Sequence, residues 1–120
     1  MRENAIVEKS FAFSVRIVDL HKYLQQKKGF TISNQIYKSG TSIGANVAEA
    51  QRAQSRADFL SKLSIALKEA NETQYWLKLL YASKYLSHRE FESIHSDLAE
   101  ILSLLTSICK RVAATKDNNL

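Results

Sequence analysis

The sequence predicts an all-α protein, a single domain folded as an antiparallel up-down-up-down four-helix bundle. Its 120 residues contain no proline and only three glycines, so the residues that sheet-rich folds use for turns are scarce. Four segments repeat apolar residues at intervals of three and four, which is the period of one helix face. The connections between them are short, and short connections place consecutive helices antiparallel and side by side.

The first two helices are predicted from the apolar stripes that they would bury. The first stripe is Ile6, Ser10, Phe13, Ile17, Leu20 and Leu24. The second stripe, with small residues in its middle, is Ile32, Ile36, Ser39, Ile43, Val47 and Ala50. The segment 27–31 (KKGFT) between them combines lysines with a following glycine, a frequent signal for the end of a helix. We therefore place these helices at about 5–27 and 33–52.

The last two helices are predicted from their stripes and their N-terminal caps. The third stripe is Phe59, Leu63, Ala66, Ala70, Thr73, Leu77 and Leu80, and the fourth is Phe91, Ile94, Leu98, Ile101, Leu105, Ile108 and Val112. Ser55 with Asp58, and Ser87 with Glu90, fit capping boxes that open the two helices. We place the helices at about 56–84 and 88–114, followed by a frayed tail at 115–120.

The stretch 39–50 (SGTSIGANVAEA) places two glycines inside the second helix. It does not fit a phosphate-binding loop, because Gly40 and Gly44 are one residue too close together and Ala45 follows where that motif has lysine. Gly40, Gly44 and Ala48 instead recur every four residues and form a smooth ridge on one helix face. The ridge predicts close packing of a neighbouring helix, and the alternative is a kinked functional hinge.

No catalytic, metal-binding or cofactor-binding residues are predicted. A di-metal carboxylate site in a four-helix bundle needs two Glu-x-x-His pairs that point inward. The chain has one such pair, Glu92 and His95, and both side chains turn away from the core when the apolar stripe of their helix faces inward. An acid–base or metal enzyme built on Glu49, Glu69 and Glu72 is the least favoured hypothesis, and we expect the protein not to be an enzyme.

A second stripe on the third helix mixes charged and apolar residues. It comprises Asp58, Lys62, Ile65, Glu69, Glu72 and Trp76. We call it the mixed stripe. Acidic groups that are partly buried need cationic or hydrogen-bonding partners. Arg16 is the predicted cationic partner, and Asn46 and Glu49 are candidate members of the same polar network. The expected role of the mixed stripe is a polar network that fixes helix register or a contact between subunits.

A dense set of motif residues lies within 39–80. They are Ser39-Gly40, Ser42-Ile43, Asn46, Glu49-Ala50, Ser55, Asp58-Phe59, Lys62-Leu63, Ala66, Glu69, Glu72 and Trp76-Leu77. With these residues the chain resembles the bacterial four-helix-bundle proteins linked to intervening sequences in 23S ribosomal RNA genes. The same group includes the accessory variability protein of diversity-generating retroelements.

The resemblance implies an antiparallel bundle that assembles into a homopentameric barrel with a basic surface. The retroelement member binds its reverse transcriptase and the associated RNA. A homo-oligomer, RNA or DNA, and a reverse transcriptase or another protein are therefore the partners that the resemblance implies, and it implies no enzymatic activity.

The charge of the chain favours an anionic partner. The net charge is +5, and residues 1–56 hold the whole excess, with nine Lys/Arg against four Asp/Glu. Nucleic acid is the first partner that such an excess indicates. In an up-down bundle the candidate contacts are Lys22, Lys27, Lys28, Lys38, Lys84 and Arg89 at one end, and Arg52 and Arg56 at the other.

Two function classes stay open at this point. The first is a non-enzymatic, oligomeric accessory or scaffold protein that binds RNA or DNA through a basic surface. The alternative is an adaptor for a protein such as a reverse transcriptase, without a nucleic-acid function of its own. The single cysteine and the lack of a long apolar run predict a cytoplasmic protein without a membrane segment.

Overall fold

The protein is a bundle of four long helices, seen in a computed structural model that describes residues 4–27 and 30–115. In chain order the helices are α1 (Asn4–Gln26), α2 (Phe30–Ala50), α3 (Arg56–Ala82) and α4 (His88–Thr115). The bundle measures 52 × 21 × 20 Å. Each helix packs on its neighbour in sequence, and α4 closes back on α1, so α1 and α3 lie diagonally opposite. The predicted all-α four-helix bundle is confirmed.

The helices begin and end close to the predicted residues. The largest difference is at α2, which begins at residue 30 and not 33. It ends at Ala50 and not at residue 52, because the next three residues form turns with bonds of the i to i+3 type, as often happens at a helix end. The predicted frayed tail lies outside the described residues, apart from Thr115, which is the last residue of α4.

The predicted apolar stripes form the core. Every member of the α1 and α3 stripes is buried. Ile32 and Phe91, the first members of the α2 and α4 stripes, are only half-buried. Both lie near the end of the bundle, where a side chain has fewer neighbours to cover it.

Buried hydroxyl groups join α2 to both of its neighbours. Thr73 on α3 donates a hydrogen bond of 2.9 Å to Ser39 Oγ on α2. Ser33 Oγ, near the start of α2, lies 2.7 Å from His21 Nδ1 and 3.3 Å from Gln25 Nε2 on α1. Because a buried hydroxyl without a partner costs about 1–3 kcal/mol, these bonds favour one register of α2 over others.

The two glycines of α2 face α1 at very short range. A Cβ atom added at Gly40 would lie 2.7 Å from Cγ1 of Ile17. A Cβ added at Gly44 would lie 2.7 Å from Oγ of Ser14 and 3.2 Å from the carbonyl oxygen of Ser10. A Cβ at either position would force atoms of α1 to shift, which is the close packing that the ridge predicts.

The third member of the predicted ridge does not take part in this contact. Ala48 is exposed. At 100° per residue it is turned by 80° from Gly40, which carries it out of the α1–α2 interface. The prediction is therefore wrong for Ala48. The hinge alternative is not supported either, since α2 is one continuous helix and both glycines have negative φ.

Replacement of Gly44 by leucine is expected to destabilise the bundle. The new side chain would meet the α1 backbone at Ser10, which cannot rotate away. Overpacking of this kind costs about 1–3 kcal/mol or more, against a gain of about 1 kcal/mol in helix propensity. Urea unfolding measures the difference. Ala48→Leu is the matched control and should change the free energy of unfolding by less than about 0.5 kcal/mol, because its side chain is exposed. A Gly44→Leu protein as stable as the wild type would contradict the close approach of the helices.

Candidate functional site

Two adjoining clefts lie at the end of the bundle where α3 turns into α4. The first, which we call the α1–α4 cleft, has a volume of about 480 Å³. The second, which we call the turn cleft, has a volume of about 690 Å³ and lies against the α3–α4 connection. Tyr23, Leu86 and Glu90 line both clefts. Both volumes are in the range of about 300–1,000 Å³ that is typical of ligand sites.

The α1–α4 cleft has an apolar base and a charged rim. Leu20, Leu86 and Ile94 line it and are nearly buried. The charged and polar residues of its rim are Arg16, Asp19, Arg89, Glu90 and Ser93. The cleft lies where α1 contacts α4, and α1 is in closer contact with α2 than with α4.

The turn cleft combines aromatic rings with cations. Tyr23 of α1, Tyr81 of α3 and Tyr85 of the connection line it, together with Lys27 and Lys84. These residues come from three separate segments of the chain, so only the folded bundle brings them together. The combination of aromatic faces and positive charge is typical of surfaces that bind single-stranded nucleic acid.

Lys84 has an unusual backbone conformation. Its φ angle is +67°, and it is the only non-glycine residue with positive φ among the residues that the structure describes. The Tyr85 N–H donates to the Leu80 carbonyl at 2.9 Å and the Lys84 N–H to the Tyr81 carbonyl at 3.0 Å, which is a Schellman motif. Glycine or asparagine usually occupies this position. Here the chain has a lysine, and this residue lines the turn cleft.

Tyr23, Lys27 and Glu90 form a cluster between the clefts. The ammonium group of Lys27 lies 4.5 Å from the ring centroid of Tyr23. The hydrogen bond to Tyr23 raises the pKa of Lys27, and the charge of Glu90 adds to this effect. The pKa of Glu90 is lowered, first by the backbone N–H of Ser87 and then by the hydroxyl of Tyr23. Both charged forms are therefore stabilised in the folded protein.

A complete capping box holds the start of α4. The backbone N–H of Ser87 donates to Oε1 of Glu90 at 2.8 Å, and the backbone N–H of Glu90 donates to Oγ of Ser87 at 3.1 Å. At the start of α3, Ser55 Oγ accepts from the Asp58 N–H at 3.0 Å, but the Asp58 carboxylate reaches the N–H of Gln54. Both helix starts are thus capped by the residues that the sequence indicates.

The predicted basic residues lie at the two ends of the bundle. Lys27 and Lys84 line the turn cleft, and Arg89 lines the α1–α4 cleft. Lys22 and Lys38 are exposed near the same end but line neither cleft. Arg52 and Arg56 are at the opposite end, where Arg52 is exposed and Arg56 is half-buried. Lys28 lies outside the described residues.

Arg16 does not join the mixed stripe, and the predicted network is wrong at this point. Its guanidinium donates to Oδ2 of Asp97 at 2.7 Å, to the carbonyl of Ser93 at 3.1 Å and to the hydroxyl of Ser93 at 3.0 Å. Arg16 lies on the flank of α1 that faces α4. Glu69 and Glu72 are on α3, which is diagonal to α1 and out of reach.

The hydrogen bonds of the mixed stripe join residues that are close in sequence. Lys62 pairs with Asp58 at 3.2 Å, and the indole N–H of Trp76 donates to Oε2 of Glu72 at 3.1 Å. On α2, the amide of Asn46 donates to the carbonyl of Ser42 at 2.8 Å and Glu49 is exposed. Ile65 is also exposed, and Glu69 is half-buried. The predicted network between helices is therefore replaced by contacts between residues four apart on one helix, and the subunit-contact alternative stays a prediction.

Sequence analysis missed an aromatic stack that joins α3 to α4. The rings of Tyr81 and Phe91 stack with centroids 4.8 Å apart, and those of Phe91 and His95 with centroids 4.9 Å apart. The hydroxyl of Tyr81 also lies 3.2 Å from Nδ1 of His88. The spacing of four residues between Phe91 and His95 is the signal that could have revealed half of the stack.

Other kinds of site are not seen in the described part of the chain. No three His, Cys, Asp or Glu side chains within residues 4–27 and 30–115 converge in a way that could hold a metal ion. Cys109 is half-buried, and burial raises the pKa of its thiol, which lowers its reactivity. In the same ranges no helix is both long and apolar enough to span a membrane.

The protein is a small helical bundle with clefts and basic residues at its ends. Comparisons with known proteins place it in a family. The model of the 23S rRNA-intervening sequence protein family matches residues 2–107. The chain belongs to this family, as the resemblance predicted. It is also similar to the crystal structure of a protein of unknown function from the S23 ribosomal protein family of Bacteroides thetaiotaomicron VPI-5482. The two are 57% identical, with a TM-score of 0.86 over 88% of this chain and 98% of that chain. No curated protein gives a significant match.

The capping box of α4 predicts a pH dependence of stability. The pKa of Glu90 is lower in the folded than in the unfolded protein. Its carboxylate therefore stabilises the fold at pH values above the ordinary glutamate pKa, and this stabilisation is lost as the pH falls through the pKa of the folded protein. Thermal unfolding from about pH 7 to about pH 3 should therefore show a larger loss of stability for the wild type than for Glu90→Gln.

Glu92→Gln is the matched control, since Glu92 is an exposed glutamate of the same helical turn. It should follow the wild-type profile. Identical pH profiles for the wild type and Glu90→Gln would show that the carboxylate does not stabilise the start of α4.

Proposed function

We propose that the protein is a non-enzymatic, oligomeric accessory or scaffold protein that binds RNA or DNA through its basic ends. The observation that carries this proposal is a group of exposed cations without acidic partners. Lys22, Lys84 and Arg89 are exposed at the α3–α4 end, and none of them makes an ion pair with another residue of the described ranges. Such groups are free to neutralise phosphate charge.

Two cations of α1 are compensated, in contrast to those at this end. Lys9 Nζ lies 3.0 Å from Oε2 of Glu100, and Arg16 pairs with Asp97. Exposed pairs of this kind stabilise the fold by only about 0–1 kcal/mol, but they cancel charge where they lie. Lys22, Lys84 and Arg89 at the α3–α4 end keep their charge without an ion pair to a described residue, and phosphate contacts there would give affinity without reading sequence.

The relatives support RNA as the ligand. The family is named for intervening sequences of 23S rRNA, and the similar solved protein is assigned to a ribosomal protein family. The net charge of +5 adds to this support. The serine hydroxyls of the two clefts are engaged elsewhere, that of Ser87 with the N–H of Glu90 and that of Ser93 with Arg16, so a binding role fits the residues better than catalysis does.

An exposed apolar stripe on α1 supports self-association. Phe11 is 71% exposed and Val15, one turn further on, is 49% exposed. Exposed apolar groups that adjoin on one helix face are typical of protein contacts. We infer that this stripe lies between copies of the chain. In the homopentamer that the resemblance implies, five copies would carry a formal charge of 5 × (+5) = +25, and the attraction for phosphate would rise accordingly.

The same stripe also favours a second candidate function, an adaptor for another protein such as a reverse transcriptase. In that case the stripe would be covered by the partner, and the purified protein would have little affinity for nucleic acid. The two functions therefore differ in the affinity of the purified protein for nucleic acid, which a binding assay measures directly.

Binding to single-stranded RNA should weaken steeply with salt. Each phosphate contact on a single strand adds about 0.7 to the slope of log affinity against log salt, so three contacts predict a loss of about 20-fold between 50 and 200 mM salt. Fluorescence anisotropy with a labelled oligonucleotide measures the slope.

The double variant Lys22→Gln and Arg89→Gln should bind more weakly and with a shallower salt dependence. Lys68→Gln, which removes an exposed lysine from the middle of α3, is the control. Absence of binding to RNA and DNA at 50 mM salt would rule out the nucleic-acid function.

Loss of the α1 stripe should dissociate the oligomer. Native mass spectrometry of the wild type should give a mass of several chains, and the double variant Phe11→Ser and Val15→Ser should give mainly single chains, because the apolar contact is lost. Tyr75→Ser removes a ring of α3 that is 60% exposed and is the control. A monomeric wild type would contradict self-association, and an intact oligomer in the double variant would contradict this choice of surface.

A further inference from the structure

We propose that the turn cleft binds one unstacked base of a single-stranded nucleic acid, with the adjoining phosphates held by Lys27 and Lys84. This inference rests on the proposed function and adds to it a defined site and a preference for single strands. It is drawn from the shape of the cleft, the chemistry of its walls and the strained conformation of Lys84.

The walls of the cleft include one tyrosine ring that no other ring covers. Tyr81 already stacks on Phe91, and the Tyr23 ring faces the ammonium group of Lys27. Tyr85, in contrast, packs against the core but is only half-buried, and it stacks on no ring of the described residues. Its ring is therefore the surface on which a base would stack, while Tyr23 and Tyr81 form the sides.

The charge of the cleft fits a phosphate at its mouth. Lys27 and Lys84 line it together with one carboxylate, that of Glu90. That carboxylate already accepts the backbone N–H of Ser87 at 2.8 Å, so it is held at the start of α4 by the capping box. With two positive groups and one negative group, the cleft has a net positive charge and attracts phosphate.

The conformation of Lys84 is an independent observation that favours a binding role. A residue with a Cβ atom in the left-handed region is strained, and such strain is frequent at ligand sites. Glycine would close the same Schellman motif without this strain. We therefore attribute the lysine at φ +67° to a role of its side chain in binding at the cleft and not to the closure of the turn.

The shape of the site favours a single strand over a duplex. In a duplex both faces of each base are covered by stacking, so a base cannot enter a cleft walled by tyrosines without leaving the helix. Single strands present free base faces, and stacking on one aromatic ring raises affinity by about tenfold to a hundredfold. A duplex would reach only the lysines at the rim.

The test compares three ligands and two tyrosine variants. The ligands are a short single strand that contains 2-aminopurine, a hairpin duplex of the same composition, and adenosine monophosphate. Tyr85→Leu keeps the apolar volume but removes the ring, and Tyr75→Leu is the matched control on α3. The wild type should quench the 2-aminopurine fluorescence of the strand. Tyr85→Leu should lose the quenching and about tenfold or more in affinity for the strand, with affinity for the hairpin changed by less than twofold.

Lys84→Gly separates a role in binding from a role in folding. Relief of the left-handed strain should raise Tm by about 2–5 °C, while loss of the cation should weaken binding of the strand severalfold. A purely structural residue would not give these opposite changes.

Each contrary outcome has its own meaning. If Tyr85→Leu binds the strand as the wild type does, this inference fails, although the proposed function stands. Weaker binding by Arg52→Gln would then place the site at the other end of the bundle. If adenosine monophosphate and the strand bound with equal affinity, the proposal that the ligand is a nucleic-acid strand would be wrong. Failure of the wild type to bind any of the nucleic acids would remove the proposed function itself.

Discussion

The contact between α1 and the two glycines of α2 is the constraint on which the rest of the bundle depends. Ile17 of α1 fills the space that a side chain at Gly40 would take, and Gly44 lets the α1 backbone approach at Ser10. Two glycines inside a helix cost about 1 kcal/mol each relative to alanine, so the packing gained must outweigh that cost. Because α1 packs closely on α2, its contact with α4 is less extensive. The α1–α4 cleft lies in this less extensive contact.

The end of the bundle near the α3–α4 connection is ordered by backbone hydrogen bonds on both sides of the turn. A Schellman motif closes α3 and a capping box opens α4, and only a few residues separate them. A short connection held in this way keeps Tyr85 and Lys84 in fixed positions relative to Tyr23 and Lys27 of α1. Binding groups that are held before the ligand arrives lose less entropy on binding, which is why a tight turn is a suitable support for a site.

Much of the fold could be predicted because it depends on patterns among residues that are close together in the sequence. Stripes with helical spacing, caps such as Ser87 with Glu90, and the glycines at positions 40 and 44 all act through neighbours along one helix. The partner of Arg16 could not be predicted in the same way. The stripe pattern places it beside the core but does not say which flank faces α4, and that flank decides that Asp97 is its partner. The sequence placed Lys27 and Lys84 at one end of the bundle but did not predict the turn cleft that they line, because three separate segments form it and because Lys84 lacks the glycine that usually marks a left-handed residue.

The close approach of α1 to α2 can be measured directly by nuclear Overhauser effects in the wild-type protein labelled with ¹³C and ¹⁵N. Because a Cβ at Gly40 would lie 2.7 Å from Ile17 Cγ1, we expect strong effects between the α protons of Gly40 and the side-chain protons of Ile17, and between those of Gly44 and the β protons of Ser14. Absence of both sets, with effects inside each helix still present, would contradict the account and show that the glycines serve another purpose.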